Sequence, residues 1–568
     1  MTELMPACSA ATPAVELTGG SREARPENSI PLQENLRMLS RGRILPLVAA
    51  LAVSVAACGD EDPVDMGGDP PATPTGVAVS ESGSALVVSW SAVAGATAYD
   101  VERRTLGSST FSAIAADLTE TTYTDDTVVE GTSYLYRVIA KNADGSSAPS
   151  DPADGLIDPN TAVLSGTIET DVTLDGAITY TITGIVTVED GASLTIPAGT
   201  LLLGSTEVQP SALMVRQGGQ IFSNGTETDP VVFTSGAAAG SRERGDWGGV
   251  VINGYSICNF PADECVGEGA SGPYGGTMND DDSGSMTYTR IEFAGYEVSF
   301  GNELNALTLN GVGSGTTLEA IQTHYGSDDG FEFFGGTVDL KWALATGISD
   351  DSFDYSTGWQ GRGQFWIAQQ DPDDGDNGFE VDGNEDDFDA MPLTDPIIYN
   401  VTLVGKGLDG AGGTAGESVD GLRLRRGTGG DIFNAIVIGF GGAGVDVDNA
   451  ETVGRYTVQN SIIARNAADI KAADDGPLED ESYQAEVETN AAWNNLVGTD
   501  PLLTDPFNLA APDFRPGAGS EALVAAGNAA TPPATTDNFF DVTATYIGAV
   551  DPDAATQWFE GWTTFAQN

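Results

Sequence analysis

A hydrophobic–acidic–hydrophobic strand recurs along this chain at about 22 residues or multiples of that spacing. Ser327-Asp328-Asp329-Gly330-Phe331-Glu332-Phe333 returns 22 residues later as Ser349-Asp350-Asp351-Ser352-Phe353-Asp354-Tyr355. The beat continues in Phe379-Glu380-Val381, Leu422-Arg423-Leu424 and Val445-Asp446-Val447. A second strand keeps the same rhythm, opening at Arg290, Ala320, Trp342, Asn400, Asn434 and Asn460. Strands this short cannot bury their apolar sides alone, so each must stack on its neighbours as a coil of a solenoid. The 72 glycines suit tight turns repeated at every coil.

At 568 residues the chain is too long for one compact domain. Its formal net charge of −61 argues against nucleic acid, which is bound by basic surfaces, and suits an extracytoplasmic protein or one that collects cations. Of four cysteines, Cys258 and Cys265 share one Gly-rich loop. A disulfide is favoured over a metal site there, because one histidine and no further cysteine remain to complete a ligand set.

The N-terminal region reads as an address. Arg41 and Arg43 precede the apolar run 44–57, which is too short to span a membrane and has the form of a signal segment. It ends in Val55-Ala56-Ala57-Cys58, which resembles a bacterial lipobox. The resemblance implies lipidation of Cys58 as the mature N-terminus, attachment to the membrane through that lipid, and, with Gly59 rather than Asp next, delivery to the outer membrane. On this reading residues 1–37 are a mis-called start and 38–57 the signal peptide. Residues 58–72 form an acidic, Pro/Gly-rich tether.

From 73 to 158 short period-two strands are divided by turns. Trp90, Tyr99-x-Val101 and Tyr134-x-Tyr136-Arg137-Val138 ahead of Asn142 and Gly145 resemble a fibronectin type III domain. Such a sandwich implies a spacer or contact module and no chemistry of its own. From 160 to 530 the strand–turn beat runs without a clear break. The phrases at 184–200, Gly330–Gly336 and Gly361–Trp366 closely resemble uncharacterised secreted bacterial proteins built on a right-handed parallel β-helix of the pectin-lyase type. The expected fold class is therefore all-β, a fibronectin type III sandwich followed by a right-handed parallel β-helix. Residues 531–568, with Trp558, Trp562 and Phe565, are expected to cap the final coil.

Stacking turns repeats into ladders. Phe331, Phe353 and Phe379 are expected inward, continued by Leu422 and Val445, with Glu332, Asp354 and Glu380 outward. Asn400, Asn434 and Asn460 are expected to form an amide ladder. The acidic turns Asp328-Asp329, Asp350-Asp351 and Asp373-Asp374 stack into a carboxylate strip with two open readings: a calcium site or a solvated acidic face. Asp371–Gly378 resembles a calcium loop in composition but fails the EF-hand spacing, and 280–282 is a second acidic loop.

Related β-helices include polysaccharide lyases and glycoside hydrolases. For such chemistry the candidate catalytic residues are Asp350, Asp351 and Asp354, with Arg362, Arg423, Arg425 and Arg426 as candidate bases. His324 is expected to be a packing residue. Trp359 and Trp366 either stack on a sugar or pack the core. The leading expectation is a lipid-anchored envelope protein presenting its β-helix to a glycan or another envelope protein. The alternative is a calcium-assisted carbohydrate-active enzyme. Uniform coils favour the first, and a loop-walled cleft holding strongly perturbed carboxylates favours the second.

Overall fold

The computed structural model describes residues 68–568 apart from 83, 159, 263, 408–419, 472–479 and 525–526. The expected start, the signal segment, Cys58 and residues 59–67 of the tether lie outside the described residues. Among the described residues no helix is long and apolar enough to cross a membrane.

Alternation in the first module produces two sheets. Ala78–Ser82, Ala85–Ser89 and Thr122–Asp125 form one. The other is built on Ala98–Thr105, Ser112–Leu118 and Tyr134–Asn142, with Gly145–Ser146 and Ala153–Gly155 at its margin. Every second residue of the central strands faces between the sheets, so Leu86, Val88, Val101, Tyr136 and Val138 are buried around Trp90. Trp90 meets Tyr99 edge-on at 5.4 Å between ring centres.

The rest is a parallel β-helix. Twenty-five strands join in one sheet, from Thr161–Ile168 to Leu496–Val497. In the central part each coil contributes a four-residue strand and a strand of eight or nine residues. Phe331–Phe334, Phe353–Ser356, Phe379–Asp382 and Leu422–Arg425 stack in register. So do Thr317–His324, Asp339–Thr346, Arg362–Gln369, Ile397–Val404 and Gly430–Ile438. Each long strand is bent by one residue in the left-handed region: Ala320, Trp342, Phe365, Asn400 and Asn434, at φ between 56° and 62°. That conformation is costly for most residues and cheaper for asparagine, and it turns the corner between two faces of the coil.

The inner face carries the expected ladder. Phe331, Phe353, Phe379, Leu422 and Val445 follow one another through the register and are all fully buried. Phe331 and Phe353 stack at 5.0 Å and 8°. Trp359 and Trp366 are fully buried against Phe333 and Phe353, so of the two readings for them the core reading holds. Gly330 sits where a Cβ would come within 2.6 Å of the Ser352 carbonyl oxygen, which explains a glycine beside the acidic turn.

One expectation about the C-terminal region is corrected. The last coils are covered by the helix Asp480–Thr489, whose Tyr483 and Val487 join Trp493 in the solenoid core. Residues 531–568 do not cap that end. They run back along the outside of the coils as a strap, because the outer residues Leu344, Ile367, Val404, Ile436 and Ile462 form an apolar stripe that only a second layer can bury. Ile547, Val550, Phe559 and Trp562 cover it.

Asn400, Asn434 and Asn460 occupy equivalent corners but form no amide ladder with each other. Their side chains hold backbone of the C-terminal segment instead: Asn400 Nδ2 donates to the Tyr546 carbonyl at 2.8 Å, Asn434 Oδ1 accepts the Ala530 N–H at 2.7 Å, and Asn460 donates to the Asn528 carbonyl. Further along, Gln364, Lys341 and Gln322 grip 541, 539 and 564 in the same manner. His324 ends the series. It is buried, contacts Thr346 Oγ1 through Nδ1 at 2.7 Å and the Ala566 carbonyl through Nε2 at 2.8 Å, and burial holds its pKa down at about 4.

Candidate functional site

Two residues before each inward apolar residue, the turns carry Asn305, Asp329, Asp351, Asn377 and Asp420. Each side-chain oxygen accepts the backbone N–H of the equivalent residue one coil on. Asn305 Oδ1 takes Asp329 N–H at 3.1 Å, Asp329 Oδ1 takes Asp351 N–H at 2.9 Å, Asp351 Oδ1 takes Asn377 N–H at 2.7 Å, and Asn377 Oδ1 takes Asp420 N–H at 3.1 Å. Two members of this ladder are amides and serve equally well. The negative charge at Asp329 and Asp351 is therefore not needed for the fold.

Beside this ladder runs a strip built by Glu332, Asp354 and Glu380, which stand directly above one another in the strand register. These side chains point away from the coil core, as expected, but not into open solvent: Glu332 is only 6 % exposed. They floor a cavity of about 750 Å³ lined by fourteen carboxylates and three arginines. Loops make its walls. One is the loop closed by the Cys258–Cys265 disulfide, with Cα atoms 6.5 Å apart, which supplies Phe260 and Glu264, followed just beyond it by Glu268. Opposite it, the 384–392 segment is clasped to that loop by Asn384 Nδ2 donating to Asn259 Oδ1 at 3.1 Å and Asn259 Nδ2 donating to the Pro392 carbonyl at 3.2 Å. A hairpin, Tyr296–Ser299 with Asn302–Leu304, adds Glu303.

Four carboxylate trios have oxygens within 4.8 Å of one another: Asp328/Asp329/Asp350, Asp329/Glu332/Asp354, Asp350/Asp351/Asp376 and Asp351/Asp354/Glu380. Burial first, and neighbouring carboxylates second, raise the pKa values throughout. Asp328 is pushed up to about 8, and Asp329, Glu332, Asp351 and Asp354 stand well above the ordinary carboxylate range. At the rim Glu268 reaches about 7 through burial and Glu303, and Glu380 reaches about 7 because burial outweighs the pull of Arg425. Like charges this close in a shielded site leave two outcomes, protonation or a cation.

The far end of the cavity differs in character. Phe260, Tyr274, Phe334, Ser356 and Thr357 line it. Thr357 is 8 % exposed, with its side chain against the Tyr274 hydroxyl, and Asp354 Oδ1, shut off from solvent, has no hydrogen-bond partner.

Of the residues singled out in the sequence, Asp328, Asp329, Asp350, Asp351 and Asp354 do come together. Asp373 and Asp374 do not. The coil from Phe353 to Phe379 carries four extra residues, so the register places Asp376, not Asp373, above Asp350. The extra residues form a separate turn in which Arg244 holds Asp371 at 3.0 Å and Asp374 at 3.4 Å, and Ser349 Oγ donates to Asp374 at 2.7 Å. Counting back from the inward Phe379 would have located Asp376. Glu268, Glu303 and Thr357 arrive on loops with no periodic signal. Asp281 lies apart, hydrogen-bonded to Ser283.

Among the candidate bases, Arg362 is elsewhere, paired with Asp339 and Asp537. Arg425 is committed to Glu380 and Asp382, and Arg426 to Asp382 at 2.6 Å. Arg423 keeps looser pairs, 3.9 Å to Glu380 and 3.6 Å to Asp448.

A loop-walled cavity with a carboxylate floor on a parallel β-helix agrees with a family match. The model of the pectate-lyase-like β-helix domain matches residues 166–501. The chain belongs to the pectate-lyase-like β-helix family. A fibronectin type III model matches residues 72–155. No curated protein matches the chain. Similar solved structures include titin kinase and its flanking domains, 32 % identical over 16 % of this chain and 17 % of that one at a TM-score of 0.15. Another is an Fn3-like protein from Clostridium thermocellum, 31 % identical over 16 % of this chain and 91 % of that one at a TM-score of 0.14. These likenesses cover too little of this family member to bear on the cavity.

Proposed function

We propose that this pectate-lyase-like β-helix protein is a lipid-anchored envelope protein whose acid-floored cavity holds a divalent cation, calcium before others, and through it engages a glycan. Membership of the β-helix family beside a fibronectin type III module supports a surface or carbohydrate-related role. The observation that carries the cation is the set of carboxylate trios. Calcium–oxygen bonds of about 2.3–2.6 Å separate ligand oxygens by no more than about 5 Å, which matches trios within 4.8 Å. Glycoside hydrolysis asks for a carboxyl pair about 5–5.5 or 6.5–9.5 Å apart. The aromatic and hydroxyl-bearing far end suits a sugar ring.

A second reading, catalysis on the same glycan, draws on one specific observation. The coils are not uniform, and the strongly perturbed carboxyls of Asp328 and Asp351 lie in a loop-walled cleft. The test is a glycan array and a polysaccharide-degradation screen of the full chain with and without calcium. Calcium-dependent retention of one glycan class, lost in Asp351→Asn, is expected. Retention indifferent to calcium sinks the cation reading, and product formation abolished by Asp351→Asn moves the protein to the enzyme class.

A further inference from the structure

The outward charged row of the solenoid ends, well away from the cavity floor, at a contact of another kind. Among the described residues Ala468–Lys471 is the last strand of its row, and the register sets Lys471 directly above Asp446 of the preceding coil. A terminal coil has a neighbour on one side only, so it is the coil most prone to open. Lys471 Nζ lies 2.8 Å from Asp446 Oδ2. The acid is 1 % exposed, and the amine reaches it from the margin of the coil.

A third group completes the set. Asp420 is fully buried, accepts the Ala443 N–H through Oδ1, and hydrogen-bonds with the Asp446 carboxyl. Two shielded carboxyls in such contact hold a proton between them, because adjacent negative charges repel. Burial raises the Asp446 carboxyl above its ordinary pKa although Lys471 pulls the other way. Lys141 of the first module, by contrast, pairs with Asp100 and Asp117 where water reaches both acids. In water, condensing an ammonium with a carboxylate is uphill, since both ions give up their hydration. Burial has already stripped Asp446, and a neutral amide costs less to enclose than an ion. Fixed contact supplies the effective concentration, and an adjacent proton-bearing acid makes the carboxyl a better electrophile.

We propose that Lys471 and Asp446 condense into an intramolecular amide cross-link, with Asp420 as the acid–base catalyst. The Nζ–Cγ bond forms, one Cγ–Oδ bond of Asp446 breaks, and the freed oxygen leaves as water with the two protons that nitrogen gives up. Asp420 hands its proton to the departing oxygen and is reprotonated from Nζ. Ammonium plus carboxylate thus become amide plus water, with no oxidant or co-reactant. The bond ties the terminal coil to its neighbour and holds the open end of the solenoid against fraying. It is independent of what the cavity binds.

The experiment is mass spectrometry of the full chain after trypsin digestion. Cleavage after Arg426, Arg455 and Arg465 puts Asp446 in peptide 427–455 and Lys471 in a peptide that begins at 466. In the wild type the two peptides are expected joined, one water lighter than their sum, uncut after Lys471, and with fragment ions placing the link on Asp446. Lys471→Arg, which keeps the charge, should release them as separate peptides and lower the melting temperature. Asp420→Asn, which keeps an acceptor for the Ala443 N–H, should leave Asp446 and Lys471 unlinked. Separate wild-type peptides with cleavage after Lys471 overturn the proposal. A link through Asp448 overturns the placement, and full linkage in Asp420→Asn overturns the catalytic role of Asp420. The wild-type and Lys471→Arg digests decide the bond whether or not Asp420→Asn folds.

Discussion

The outward ladder of the solenoid has two halves with opposite electrostatics. Over three coils it reads Glu332, Asp354, Glu380, and over the next three Arg423, Asp446, Lys471. The strand spacing, about 4.8 Å, is the same in both. In the second half opposite charges alternate, and Lys471 Nζ sits 2.8 Å from the buried Asp446 carboxylate. In the first half like charges stack under a roof of loops. An acidic surface meant only to keep the protein dispersed would stay open to water, or alternate as the second half does. Three coils of unalternated acid, enclosed and joined by the extra turn carboxylates, are the arrangement expected of a site completed by something the chain does not supply.

The comparison can be broken most forcefully from the inner face that both halves share. Phe353→Ala should cost about 3–5 kcal/mol, read as a drop in denaturation midpoint, because it empties the stack between Phe331 and Phe379. Val445→Ala, in the second half, should cost less than half of that. Removing one outward charge should then act with opposite signs in the two halves. Lys471→Gln leaves Asp446 buried without its cation and should destabilise by about 2–3 kcal/mol, discounted for the partly exposed lysine. Asp354→Asn, in metal-free buffer above about pH 8, where the cluster is ionised, should stabilise by about 0.5–2 kcal/mol by relieving like-charge repulsion, and with calcium present the gain should vanish as metal-linked stabilisation is lost. A destabilised metal-free Asp354→Asn would show that the acidic half is satisfied internally.

The pH dependence sharpens the same contrast. Asp328 and its buried neighbours have folded-state pKa values above the ordinary carboxylate value, so their contribution is complete below about pH 4 and is lost as pH rises through about 8. Metal-free protein should therefore melt roughly 5–10 °C lower at pH 8 than at pH 5, and saturating calcium should flatten the slope. His324 works in the other sense and on a smaller scale. Its folded pKa is lowered to about 4, so its contribution is present above about 6.5 and fades as pH falls toward 4. Hydrogen exchange of the strap near Ala566 should quicken on acidification before the coils respond, and His324→Gln should remove that response.

Much of this was legible because repetition is a local property. The offset between Phe331 and Phe353 dictates inward stacking, and the alternation of Leu86, Val88 and Trp90 dictates a sandwich strand. Misreadings occurred where coils differ in length. Asp373-Asp374 looks like the next acidic turn until the four extra residues are placed, and only the pairing of Phe353 with Phe379 shows that Asp376 replaces it. The corner asparagines looked like a ladder because the strap that occupies them lies up to 148 residues away in sequence.

By itself the sequence determined the coil, since period-two strands repeated every 22 or more residues have no other way to bury both ends of their apolar row. It also determined that acids recur on the outward side. Whether those acids meet water, a countercharge or one another was decided by the tertiary structure, through the loop clasped over the coils by Asn259 and the strap laid along the opposite surface. The physical reason is the range of the interactions. A hydrophobic beat is satisfied by the neighbouring coil, whereas the dielectric and charge around a carboxylate depend on every segment the fold brings near it.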